Sequence, residues 1–175
     1  CAGNISEKQR VARFPALGET ILDLYVGIGY FSLPLLVHAG AKRVIACDLN
    51  PHSIEALTRN VKLNGISPDR IEILCGNNAE FVPHYKGKCD RVMLGLIPTS
   101  RQGWQLAVQA LKPAGGILHV HENVKKGLEA EHSALLVQEF SKLDPKANAK
   151  VMHIEKVKSY APKINHLVFD ICIKR

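Results

Sequence analysis

A chain of 175 residues, 46% hydrophobic and 22% charged, can bury one substantial core, so a single soluble domain is expected. Its formal net charge of +7 favours association with polyanions such as RNA, although a solvated lysine-rich surface would give the same balance. No apolar run is long enough to span a bilayer, and the five cysteines include no C-x-x-C pair, so a membrane span, a zinc site and a disulfide framework are not indicated.

In chain order, a short helix is expected from Ser6, as its cap, to about Ala12, ended by Pro15. Thr20 to Asp23 then reads as a strand buried on both faces, because Ile21, Leu22 and Leu24 are branched and apolar. Tyr25-Val26-Gly27-Ile28-Gly29 follows as a tight turn, and a helix from Tyr30 to His38 stops at Gly40. A second strand, Arg43 to Asp48, leads into a helix opened by Asn50-Pro51 and closed by Asn64-Gly65. A third, Ile71 to Cys75, ends on Gly76-Asn77-Asn78. Asp90 to Pro98 reads as a fourth strand finishing in a loop, Ser100 to Leu111 as a helix, and Ile117 to His121 as a fifth strand. A helix from about Leu128 to Leu143 and two strands, Lys150–Ser159 and His166–Ile173, complete the pattern. Cys47, Cys75 and Cys172 fall in strand-like runs and read as reduced thiols used as small core residues, pointing to a reducing compartment, the cytoplasm. Alternating strands and helices imply an α/β fold: a mostly parallel sheet, helices on both faces, and an antiparallel strand added at the C-terminal end.

Ligands of such sheets bind at the carboxyl ends of the strands, near the reversal of strand order. Three of those ends are polar here: Asp23 to Gly29, Asp48, and Asn77-Asn78. A third glycine of the dinucleotide fingerprint is missing, Ser32 standing in its place, and no Gly-Lys-Ser/Thr follows. Asp23 breaks an apolar run, which is costly unless its carboxylate accepts bonds from loop amides or a cationic ligand. Asp48 lies about two dozen residues past the turn, the spacing of an acid that holds ribose hydroxyls, or of one that merely stabilises a helix N-terminus. Asn77 or Asn78 could read an adenine edge, or simply form a turn. His119-x-His121 has no third ligand nearby, Ser32 is not in a G-x-S-x-G elbow, and no general base stands out.

Asp-x-Tyr-x-Gly-x-Gly resembles the first motif of class I S-adenosylmethionine (AdoMet) enzymes. With Gly3-Asn4-Ile5-Ser6-Glu7-Lys8, Leu94-Gly95-Leu96-Ile97-Pro98-Thr99-Ser100, Gly115-Gly116-Ile117-Leu118-His119 and Val157-Lys158-Ser159-Tyr160-Ala161-Pro162, nearly the whole chain resembles the wybutosine-synthesizing protein 2 family. That family consists of tRNA aminocarboxypropyltransferases related to the Trm5-type guanine methyltransferases. The resemblance implies a Rossmann-like class I methyltransferase fold and AdoMet as co-substrate. It also implies transfer of the 3-amino-3-carboxypropyl group to the tricyclic guanine beside the anticodon of phenylalanine tRNA, with release of methylthioadenosine. It implies cofactor contacts from Lys8, Asp23, Tyr25, Gly27, Gly29, Asp48, Leu49, Asn77 and Asn78, and substrate contacts from Leu96 and Pro98. Two departures bear on the cofactor: Asn77 stands where a carboxylate is usual, and Cys1 where a serine is common. The chain is expected to be one catalytic domain, residues 1–175, of a longer protein whose N-terminal region grips tRNA. Methyl transfer to tRNA guanine, and a non-catalytic module that binds RNA or a partner, remain as alternatives.

Overall fold

The computed structural model describes residues 4–175; the expectations for Cys1 and Gly3 lie outside the described residues. Seven strands form one sheet: β1 (Thr20–Asp23), β2 (Arg43–Asp48), β3 (Ile71–Cys75), β4 (Arg91–Leu94), β5 (Gly115–Lys125), β6 (Asn148–Ala161) and β7 (Ile164–Lys174). Their order is β3-β2-β1-β4-β5-β7-β6. The first five pair in parallel, and β7 runs antiparallel to both β5 and β6. The order reverses between β1 and β4, so the crevice expected for a ligand lies above those two strands.

Alternation along each strand builds two cores. Ile21, Val44, Ala46 and Met93 face α1 (Ile5–Val11), α2 (Ser32–Val37) and α3 (Pro51–Leu63), burying Val11, Leu35 and Leu57. Leu22, Ile45, Val92, Val120 and Phe169 face the other way, toward α5 (Trp104–Ala110) and α6 (Glu129–Leu143), and cover Val108, Leu136 and Phe140. No helix among the described residues is long and apolar enough to cross a membrane.

Several boundaries differ from the sequence reading. Ser6 does not cap α1: the helix starts at Ile5, with Asn4 in the cap position and no side-chain bond made there. The second helix begins at Ser32 rather than Tyr30, because Gly27 and Gly29 (φ 54° and 98°) keep the chain turning, Gly29 N–H donating to the Val26 carbonyl (2.9 Å). Strand β4 stops at Leu94, and β5 runs on past His121 to Lys125. A polar Glu122 and Asn123 hid that extension: the Glu122 side chain accepts from Thr99 Oγ1 (2.7 Å), while Asn123 bonds the loop through its backbone N–H to the Pro98 carbonyl (2.8 Å), its buried side-chain oxygen lacking a protein partner. Cys47 is a core residue, but Cys75 is exposed at the end of β3 and Cys172 only partly covered. Cys75 is the last residue of the edge strand β3, with a neighbouring strand on one side alone. Burial pushes the Cys47 and Cys89 thiols up to about 12, leaving both inert.

The pair His119 and His121 does share a face, and the two rings serve separate partnerships. Arg91 Nη1, which can only donate, lies 2.7 Å from His119 Nε2, and Asp170 Oδ1 lies 2.6 Å from its Nδ1. The ring is therefore neutral with its proton on Nδ1, in agreement with burial holding its pKa below the ordinary value. Asp170 also takes Arg10 Nη1 (2.5 Å), and Arg10 pairs with the buried Glu7 (2.7 Å), tying α1 to β7. His121 Nδ1 is bonded to His166 Nε2 (2.9 Å) beneath the Phe31 ring.

Candidate active site at the reversal of strand order

The turn after β1 is held from below and from the side. Asp23 is fully buried, accepting from Ser32 Oγ (2.8 Å) and from the Tyr25 N–H (3.3 Å). Burial raises its carboxyl to about 6, the hydroxyl and amide only partly offsetting it. The loop amide expected to bond Asp23 is that of Tyr25, with the Ser32 hydroxyl as a second donor. At the neighbouring strand end Asp48 accepts from the Gly27 N–H with one oxygen (2.8 Å) and from the Asn50 N–H with the other (2.9 Å). A carboxylate has about four lone-pair directions, so two stay open on the exposed side. Gly29 is required by more than its φ: an added Cβ would meet Leu33 and Leu57 at 2.8 Å.

The two asparagines separate. Asn78 crosses to the first strand, its Nδ2 donating to the Leu24 carbonyl (2.8 Å), and opens the short helix α4 (Asn78–Phe81). Asn77 turns its oxygen onto the Ala79 N–H (3.0 Å) as the cap of that helix. A carboxylate at this position would do the same capping, which is why an amide is tolerated there.

A cleft of about 270 Å³ opens between these ends, lined by Leu24, Tyr25, Asp48, Leu49, Asn78, Gly95, Leu96 and Gln102. Five residues singled out in the sequence thus converge: Tyr25, Asp48, Leu49, Asn78 and Leu96. Leu49 is 71% exposed, an apolar side chain held at the rim with nothing over it. Tyr25 is half-buried, its hydroxyl within reach of Gln102 and Asn78, and burial raises its pKa. Lys8 and Gly29 are not brought here. They line a second cleft of about 330 Å³ on the α2–α3 side, where the Lys8 ammonium sits 5.5 Å from the centre of the Tyr30 ring. Pro98 is also off the lining and bonds β5 through its carbonyl. Sequence reasoning missed Gln102, which follows the Leu96–Ser100 loop in a single 3₁₀ turn (Arg101–Gly103) with no periodicity to reveal it.

This arrangement can grip a polar nucleoside: a carboxylate with free lone pairs for vicinal hydroxyls, a leucine for a flat apolar face, and amides for a heteroaromatic edge. A family model described as the TRM5/TYW2 methyltransferase domain matches residues 1–152. The chain belongs to the TRM5/TYW2 family. Among its TRM5/TYW2 relatives is the tRNA wybutosine-synthesizing protein 2/3/4 of Arabidopsis thaliana, 50% identical over 173 residues, covering 97% of this chain and 17% of that protein. The chain therefore spans a minor part of that relative's length. M. jannaschii TYW2 in complex with AdoMet superposes with a TM-score of 0.88 at 28% identity, over 100% of this chain and 77% of that one. P. horikoshii TYW2 in complex with MeSAdo gives 0.90 at 26%, over 99% and 64%.

Proposed function

We propose that residues 1–175 form the AdoMet-binding catalytic domain of a cytoplasmic tRNA aminocarboxypropyltransferase, acting on the modified guanine beside the anticodon of phenylalanine tRNA. One observation carries this reading: the cleft at the β1–β4 reversal gathers Tyr25, Asp48, Leu49, Asn78 and Leu96, in a fold shared with TYW2 structures bound to AdoMet and to MeSAdo. MeSAdo, methylthioadenosine, is what AdoMet becomes once its aminocarboxypropyl group has left, whereas methyl transfer would leave S-adenosylhomocysteine.

The donor set fits AdoMet. Asp48 would hold the ribose hydroxyls, Leu49 would cover the adenine, and Asn78 and Tyr25 would supply polar contacts. AdoMet supplies a sulfonium whose three attached carbons are all open to displacement. The chain's part is positioning. Gly27, where an added Cβ would stand in open space, keeps that atom off the path of the methionyl chain, and Leu96 closes the cleft on the side from which a base would enter. Lys8 and Asn77 act through placement of the turn and of α4 rather than by direct grip in this arrangement. Lys8 reaches the ligand only if the methionyl end extends toward the second cleft, beside Gly29 and Tyr30.

The description of the family model covers methyltransferases too, so methyl transfer is the second reading. Incubation with AdoMet and precursor tRNA, followed by mass analysis of nucleoside and tRNA, separates the two. Methylthioadenosine with an aminocarboxypropylated tRNA supports the proposal. S-adenosylhomocysteine with a methylated tRNA supports the second reading, and neither product overturns both.

A further inference from the structure

The last partner of Leu94 on β5 is Val120, yet β5 continues to Lys125, five residues beyond the end of β4. At about 3.3 Å per residue this raises β5 by ~16 Å above its neighbour. The rest of the C-terminal hairpin rises with it, since Lys125 pairs with Ile164 and Ile164 with Ala161. Three strands thus stand as a wall beside the cleft, at the same carboxyl edge of the sheet. Its crest is fastened by the Lys126 N–H on the Lys163 carbonyl (3.0 Å) and by Lys126 Nζ on the Pro162 carbonyl (2.8 Å).

The crest is basic and lacks internal counter-charge. Lys125, Lys126, Lys158 and Lys163 lie in the stretches 123–128 and 157–164, which contain no Asp or Glu. Among the described residues the lysine ion pairs are those of Lys112 and Lys142, both elsewhere. The nearest acids in sequence are Glu122, buried and bonded to Thr99 (2.7 Å), Glu155, bonded to His153 (2.9 Å), and Glu129, 3.4 Å from Asn165 Nδ2. Tyr160, 52% exposed, adds an aromatic face to the crest. Lysines kept only for solubility would be interspersed with carboxylates, as Lys142 is with Glu139 on α6. Four without acids, on one crest, with an aromatic among them and a ligand cleft at their foot, match a phosphate-bearing strand.

We infer that the crest of the β5–β7–β6 wall is the surface on which the RNA backbone flanking the target nucleotide docks, its phosphates on these lysines. This rests on the proposed action on RNA and adds its location. A nucleotide whose base enters the cleft must carry its own and its neighbours' phosphates past this wall.

The test compares the unaltered chain with the triple variant Lys125→Gln/Lys126→Gln/Lys163→Gln, and with a control, Lys42→Gln/Lys62→Gln/Lys146→Gln, which removes equal charge elsewhere. tRNA affinity is measured by fluorescence anisotropy between about 50 and 200 mM salt. The slope of log K against log salt should shrink in the crest variant by about 2 to 3, at 0.7–0.9 per lost phosphate contact. The control should keep its slope, Arg at the three crest positions should restore it, and AdoMet affinity should be unchanged in all. An unchanged slope in the crest variant, or an equal loss in the control, overturns the inference. So does loss of binding to vesicles containing phosphatidylserine with tRNA binding intact, which would assign the crest to a membrane. Product analysis of the unaltered chain is read separately: absence of methylthioadenosine with a crest-dependent slope would defeat the proposed reaction and leave the docking surface standing.

Discussion

Asp23 makes the chain less stable at neutral pH than it could be, and replacing it by Asn should show this. Its carboxyl is fully buried and titrates at about 6, against an ordinary 3.8. A carboxyl whose pKa is raised on folding binds its proton more tightly in the native state, so its contribution is fully present below about pH 4. That contribution is lost as pH rises through 6. Two pKa units correspond to about 3 kcal/mol at most. The amide introduced by Asp23→Asn keeps the shape, can accept from the Tyr25 N–H and can donate to Ser32 Oγ, but never ionises. Urea unfolding of both proteins from pH 4 to 8 isolates the effect, because all other titrating groups cancel in the difference. Near pH 4 the two should be within about 1 kcal/mol of each other. By pH 7 to 8 Asp23→Asn should be the more stable by about 1 to 3 kcal/mol, with the change concentrated between pH 4 and 6. Parallel pH curves, or a deficit for Asp23→Asn that grows with pH, would refute the reasoning and mean that the ionised carboxylate is better bonded than Ser32 and Tyr25 allow.

Other substitutions test the site and its supports. Asp48→Ala leaves the Gly27 and Asn50 N–H groups without their acceptor and should weaken AdoMet binding by about 1–3 kcal/mol in calorimetry; an unchanged dissociation constant in a folded variant removes Asp48 from the ribose. Gly29→Ala should cost about 2 kcal/mol or more in chemical denaturation, from strain at φ 98° plus the clash with Leu33 and Leu57. Gly27→Ala, at φ 54° with open space around it, should cost about 1 kcal/mol. For Asp170, burial alone would raise the pKa, but the bonds from His119 and Arg10 prevail and hold it well below the carboxylate range. Its stabilisation is therefore present above about pH 4 and lost below. Asp170→Ala should destabilise by about 3–5 kcal/mol at pH 7, a loss that narrows in acid.

Most of the sheet could be read from the chain because its parallel strands are short, largely apolar runs bounded by turn residues. Arg43–Asp48 and Ile71–Cys75 have the boundaries expected of them. Reading failed where polar residues do tertiary work. Glu122 and Asn123 interrupt the pattern of β5, and the Glu122 side chain does so while bonding Thr99 in the loop before α5, so the height of the wall was hidden. The site was legible to the extent that its residues sit at strand ends: Asp48 and Asn78 are where strand and helix meet. Lys8, by contrast, reaches the region through a helix packed on the sheet, and no spacing in the sequence tells which of two adjacent clefts such a side chain enters. Gln102 was invisible because a 3₁₀ turn of three residues has no period to detect.

The position of β7 has a consequence for how the chain is made. It is the last strand in sequence, yet it lies inside the sheet, between β5 and β6. Until it is synthesised, β6 has no neighbour, and β5 has an open edge eleven residues long. β1 meets a milder form of the same delay, waiting from residue 23 to residue 91 for its second partner. The wall beside the cleft therefore cannot grow strand by strand as translation proceeds. It closes in one step, when a single strand arrives and joins two that were waiting for it. Removing β7 would take the edge strand, the crest and the anchor of α1 on Asp170 with it, while β1 to β4 would keep every pairing they have with one another.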